Sequence, residues 1–304
     1  MAPQKFFVLF CQKIPIVPHA VRNLSLFLPE VFRRYASGGV AFISHLFVFH
    51  VIFIYDRDPS LYMIETHQIL VLGTTRYGAD RLLVRALSRT SGRVTLSLPL
   101  VRSQRSPMRA SLFRPLARLE VMWDASPTAS VFRPRTVRVV ERQDSIMASP
   151  AKMAIAMFLA EFLSYATLEG DFGDVFFDYV SSAVAWLDAC PSDYANFHIV
   201  FLFRLSRFLG IQPDWEELKG EGRYFDLMEA VFTDSRPAHG VCLEGEDAHA
   251  ARQLARMNFS TMHLFRLSGS QRTAILRRLV SFYRLHLPGF PQLKSLDVLE
   301  TVFC

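Results

Sequence analysis

Several things are scarce in this 304-residue sequence, and each scarcity closes off a class of function. Only four cysteines occur, Cys11, Cys190, Cys242 and Cys304, scattered over the whole length with no C-x-x-C pair. That excludes a standard zinc knuckle, argues against a disulfide framework, and points to a reducing cytosol with no metal site. No P-loop, G-x-G-x-x-G or G-x-S-x-G is present, so phosphate-cradling glycine loops and nucleophile elbows have no motif here. Charged residues make up 20% against 51% apolar, which excludes a disordered, tail-like chain and leaves material for folded cores.

Catalytic groupings are thin as well. Asp171, Asp174 and Asp178 share helical spacing, but carboxylates in a loop and at a helix start are ordinarily solvated and favourable to the helix dipole. His198 lies in the apolar run "NFHIVFLFRLSRFLG" and reads as a buried or boundary histidine, not a general base. Glu244, Asp247 and His249 lack the paired histidine or cysteine a metal site needs. The sequence is therefore read as a non-enzyme without cofactor.

What is there is arginine, unevenly placed. Residues 63–147 hold fourteen arginines, no lysine and six acids, a charge of +8. Residues 1–62 hold six basic and three acidic residues (+3), and residues 148–304 fourteen against nineteen (−5). The stretch "GTTRYGADRLLVRALSRTSGRVTLSLPLVRSQR", residues 73–105, has seven arginines and one acid, Asp80. A planar guanidinium offers forked donors that suit phosphate or carboxylate and can stack on bases. Composition bias accounts for arginine over lysine but not for the clustering.

The first 62 residues differ from the rest. They contain nine phenylalanines and an uncharged run from Ala36 to Tyr55, preceded by Arg33 and Arg34. Three readings stay open: a membrane anchor, an added packing element, or upstream sequence before a true start at Met63, which opens onto a strand-like pattern. From Gln68 to Val140 short apolar alternations are broken by turn signals, giving five strands with a basic loop over 103–114. That count and size suit an OB-fold barrel as residues 63–147.

From Pro150 the period becomes 3.6. Ser149 and Pro150 read as N-cap and N1 of a helix, stripes follow over 172–189 and 194–209, and "SGSQ" at 268–271 reads as a capping box. Residues 148–304 are thus expected to be an all-α domain with a loop-rich insert at about 211–245. The whole is an α+β, multi-domain chain.

Candidate binding residues follow from period-two alternation. Arg81, Arg85 and Arg89 share one strand side with Leu83 and Leu87, Arg93 opens the next strand, and Arg76, Arg102, Arg105 and Arg109 flank them. Their expected ligand is nucleic acid, held backbone-first and without sequence preference, with Tyr77, Phe113, Trp123 and Phe132 available for stacking. The rival to this is a solvated strand face. In the helical part Arg204 and Arg207 lie i, i+3 beside Phe201, Leu205 and Phe208, either as the rim of a groove for an apolar, acidic peptide or as arginines snorkelling from a core face.

Three blocks, in order, resemble the RecO family of bacterial DNA repair proteins: "LVLGTTRYGADRLLVRALSRTSGRV", "ANFHIVFLFRLSRFLGIQPDW" and "YRLHLPGFPQLKSLDVL". They span about 240 residues from near Met63, while residues 1–62 match nothing in that family. Many members carry four zinc cysteines in the insert; here only Cys242 is nearby, so no zinc is implied. The resemblance implies a cytoplasmic, nucleoid-associated mediator that binds single- and double-stranded DNA and anneals complementary strands. It also implies binding to the C-terminal tail of single-stranded-DNA-binding protein and, with RecR, help in loading RecA, with no membrane partner. Lys152, Arg204 and Arg207 are the expected contacts for that acidic tail. The alternative from another class is a membrane-tethered scaffold anchored through residues 36–55, its arginines facing anionic head groups.

Overall fold

The computed structural model describes residues 64–100, 108–124, 129–168, 172–213 and 221–303. The chain divides into two units, Met1–Tyr62 and Met63–Cys304. The first lies outside the described residues, and with it the candidate anchor at 36–55.

The second unit begins with five strands: β1 (Ile64–Tyr77), β2 (Arg81–Ser88), β3 (Gly92–Pro99), β4 (Arg118–Asp124) and β5 (Pro134–Val139). They form one antiparallel sheet in the order β3-β2-β1-β4-β5, of OB-fold type. The edge strands β3 and β5 do not pair along their length. Among the described residues the sheet's ends meet where Phe132, just before β5, forms a parallel bridge with Leu96, exchanging hydrogen bonds of 2.8 and 2.9 Å with Ser97 and Thr95. Tight turns join the first three strands, and Gly78 and Gly92 take the positive φ (64° and 60°) that a side chain resists there.

Period-two alternation sorts the strands into two faces. Leu82, Val84 and Ala86 of β2 point inward with Ile69, Val71, Val94, Leu96, Val121 and Trp123, forming the sheet's own core. Leu70, Leu72 and Leu87 point the other way and are just as buried, but in a different core, that of the helices. A register slip between Val71 and Gly73 brings Gly73 opposite Arg85 on this outer face.

Seven helices follow: α1 (Asp144–Ala148), α2 (Pro150–Ala166), α3 (Asp174–Ala189), α4 (Phe197–Phe208), α5 (Gly245–Arg256), α6 (Gly269–His286) and α7 (Ser295–Phe303). Ser149 caps α2 by accepting from the Lys152 amide, with Pro150 at N1. The capping box of α6 closes reciprocally, Ser268 and Gln271 each accepting from the other's amide at 3.2 Å. Phe162 and Tyr283 meet edge to face at 4.7 Å, and the Tyr283 hydroxyl donates to the Leu202 carbonyl at 2.6 Å, tying α2, α4 and α6 together.

The insert is more ordered than a loop-rich reading expects. It holds a small antiparallel sheet, β6 (Tyr224–Asp226), β7 (Val231–Thr233) and β8 (Cys242–Glu244), in the order β7-β6-β8. Three-residue strands carry too little alternation to show in sequence. Phe225, buried against Phe232 and Phe282, anchors this sheet on α6.

Candidate nucleic-acid interface

The outer face of β1–β3 splits into two halves with different surroundings. At the end beside the β1–β2 turn, Tyr77 stands opposite Arg81 in the register, and Arg81 reaches across to β3, its Nε donating to Ser97 Oγ at 2.8 Å. Tyr77 is 64% exposed. Arg76, exposed at the same strand end, has no carboxylate within 4 Å among the described residues. Arg76 pairs with Leu82 and so lies on the other side of the sheet, which leaves this half presenting the Arg81 guanidinium and one open aromatic ring.

The other aromatics suggested by the sequence are less available. Trp123 is buried and lies flat on His67, ring centroids 3.8 Å apart and planes 2° from parallel, with Phe132 stacked beyond it at 5.2 Å. Phe113 is buried in the same core. Burial also holds the His67 imidazole below its usual pKa, against the opposing pull of Glu65 at 3.2 Å. This stack packs the sheet's interior and leaves Tyr77 as the aromatic that a base can reach.

The second half of the face meets the helices. Arg89 pairs with Asp178 of α3 at 2.7 Å, and Arg93 Nη1 donates to the Ser164 carbonyl of α2 at 2.6 Å. Arg85 lies across Gly73, where an added Cβ would come 3.1 Å from its Nη2. Three of the arginines expected to grip an outside ligand thus line the seam between sheet and helices. Arg109 precedes a short 3-10 turn and Arg102 and Arg105 lie outside the described residues.

Elsewhere on the sheet, arginine charge is locally matched. Arg118 is held by Glu141 at 2.7 Å and by Gln68, Arg135 by Asp124 at 2.8 Å, and Arg138 sits 3.5 Å from Glu120. These partners come from neighbouring strands or, for Glu141, from just past β5, so a tally along the chain does not reveal them.

The three residues expected to line a peptide pocket part ways. Lys152 is 2% exposed, and its ammonium donates to Ser145 Oγ and to the carbonyls of Asp188 and Cys190, at 2.7, 3.2 and 2.5 Å. Its role is internal: it ties α1 and α2 to the C-terminal end of α3. Arg204 and Arg207 are exposed on α4, and Arg204 donates twice to the Met257 carbonyl at the end of α5. Next to them Tyr179 stacks on Phe208 at 4.9 Å; burial pushes its phenol pKa up, with Arg204 opposing. Among the described residues no group of three or more His, Cys, Asp or Glu could hold a metal ion, and no helix is long and apolar enough to cross a membrane.

Family models decide what kind of molecule carries this face. The model described as recombination protein O N terminal matches residues 63–141, and that described as recombination protein O C terminal matches residues 147–297. The chain belongs to the RecO family.

Curated relatives agree. Proteins named DNA repair protein RecO from Phocaeicola vulgatus and Bacteroides fragilis are each 40% identical over 77% of this chain and 97% of their own length. One of the same name from Porphyromonas gingivalis is 34% identical over 79% of this chain and all of its own. Membership places the chain among proteins of DNA repair and recombination.

Proposed function

We propose that the chain is a non-catalytic mediator of recombinational repair that binds single- and double-stranded DNA on the open half of the β1–β3 face and anneals complementary strands. Both family models match, in order, over the described unit, and the exposed Tyr77 opposite Arg81 supplies what strand binding asks for: a stacking ring beside a phosphate-seeking guanidinium group. In this role it acts with RecR to load RecA on strands coated by single-stranded-DNA-binding protein. Arg207 and the half-buried Phe208 are the surface we assign to that protein's acidic tail, with Arg204 holding α4 to α5. Lys152 is left out because its donors are engaged internally. The setting is the cytoplasm, at the nucleoid.

The deciding experiment is strand annealing by the full chain and by a Tyr77→Ala/Arg81→Ala variant. Slower annealing with a shallower salt dependence is expected; an unchanged rate and slope would remove this face as the DNA site.

We also propose translation from Met63. The relatives are covered over 97% or more of their length by an alignment to 77–79% of this chain, and the N-terminal family match begins at residue 63. N-terminal sequencing of protein from its native source tests this: Met63, or Ile64 after Met removal, is expected, and a residue before 63 would overturn it.

A further inference from the structure

The seam between sheet and helices holds a cleft of about 340 Å³, lined in part by the apolar side chains of Leu72 of β1, Met157 of α2 and Val298 of α7. Arg85 and Lys294 are both among its lining residues. Arg93 stands diagonally next to Arg85 on the adjacent strand, since Arg85 pairs with Thr95 and Leu87 with Arg93. Unlike Arg89, Arg118, Arg135 and Arg138, none of these three cations has a carboxylate within 4 Å among the described residues.

The one acid lining the cleft is already engaged. Glu161 accepts from the Lys294 amide at 3.1 Å through one carboxylate oxygen, and from the Ser295 amide at 2.8 Å and the Ser295 hydroxyl through the other. It thereby caps α7 and occupies that helix end. Two guanidinium groups are meanwhile held beside each other by the fold: burial and the neighbouring Arg85 both lower the proton affinity of Arg93. The Nε of Arg85 is buried with no hydrogen-bond partner. A like-charged pair is unfavourable, and an anion in the cleft offsets it.

We infer that this seam cleft is a phosphate-binding site, built by Arg85 and Lys294 with the charge of Arg93 beside Arg85, that takes a phosphodiester of the DNA strand leaving the open β1–β3 face. The forked guanidinium matches phosphate oxygens, and the lysine supplies a mobile point charge. The location suits a continuous path: Arg81 and Arg85 lie four residues apart on one side of β2, roughly 13 Å along the strand. A strand stacked on Tyr77 and held at Arg81 would next reach the cleft. The choice of a DNA phosphate rests on the function proposed above, whereas the phosphate chemistry of the cleft does not.

Lys294 is exposed and its side chain makes no bond within the described residues, so it can be changed without disturbing the fold. The test is binding of a fluorescent oligothymidylate to the full chain across a salt series, for the parent, Lys294→Gln, Lys294→Glu and Arg85→Gln. Lys294→Gln is expected to weaken binding about 3- to 10-fold and flatten the salt slope by about one contact, roughly 0.7, with a larger loss for Lys294→Glu. A parallel arm follows thermal protection by inorganic phosphate. Protection lost in Lys294→Glu while oligonucleotide binding is unchanged would support the site with free phosphate as its source. Parent-like affinity and slope in both Lys294 variants, with no phosphate protection, would overturn the inference. Arg81→Ala serves as the separate control: if it weakens binding while the Lys294 variants change neither oligonucleotide binding nor phosphate protection, the cleft fails and the open-face reading stands.

Discussion

Arg89, at the end of β2, donates to Asp178 on α3 across 2.7 Å, so a residue that the strand pattern offers to an outside anion is answered by a carboxylate 89 positions further along the chain. The pair marks the line where the sheet stops being an open surface. It is 39% and 49% exposed at its two ends. Asp178→Asn is therefore expected to cost no more than about 1 kcal/mol of stability, measured by urea denaturation, because solvent screens such pairs.

Tyr77 stands at the opposite, open end of the same face. Tyr77→Ala is expected to weaken single-strand binding by about 1–3 kcal/mol, the value of one stacked base, while leaving the melting temperature within about 1 °C of the parent. Fluorescence titration with an oligonucleotide measures the first and calorimetry the second. Equal affinity in the variant would show that no base stacks there.

Lys152 and Arg207 were expected to serve one pocket, and the structure separates their behaviour. Lys152→Met keeps the aliphatic stem but leaves the Asp188 and Cys190 carbonyls without their donor, for an expected loss of about 1–3 kcal/mol. Arg207→Ala, on an exposed position, should change stability by less than about 0.5 kcal/mol. Paired denaturation curves check the contrast.

His198 gives a pH signature. It is buried against Phe158 and Phe303, and burial, helped by Arg272, pushes its pKa down to about 3. The folded chain keeps the imidazole neutral while the unfolded chain takes up a proton below pH 6.5 or so. Its contribution is therefore fully present above that pH and is lost as the pH falls toward 3, by up to about 1.4 kcal/mol per unit. His198→Leu should remove this slope between pH 6.5 and 5, and an unaltered pH dependence in that window would contradict the assignment.

Leu87 tests whether sheet and helices share one core. It is fully buried on the outer face of β2, in the helical cluster and not in the sheet's own. Leu87→Ala is expected to cost about 2–5 kcal/mol and to lower a single melting transition of the described unit. Two separated transitions in the parent would mean that the halves fold independently.

Much of this molecule could be read along the chain because the signals were local. Strand alternation over 68–140 predicts β1 to β5, and the side-by-side placement of Arg81, Arg85 and Arg89 follows from period two alone. Ser149–Pro150 and the Ser268–Gln271 box mark helix starts because a cap is made by residues three apart. The short strands of the insert and the nine residues of α7 escaped, being too brief for a periodicity to register.

The amino-acid sequence by itself determined the order of sheet and helices, the concentration of arginine in residues 63–147 and, through three ordered blocks, the family. Only the tertiary structure decided which arginines are left facing outward and which are answered from within the chain. Asp178 and Ser164 become partners only when the outer face of β1–β3 is laid against α2 and α3, while Asp124 and Glu141 are brought to Arg135 and Arg118 by the pairing of β4 with β5. A guanidinium group is identical at Arg81, Arg85 and Arg89; what distinguishes them is whether folding brings water, an unfilled cleft or a carboxylate to within hydrogen-bond reach.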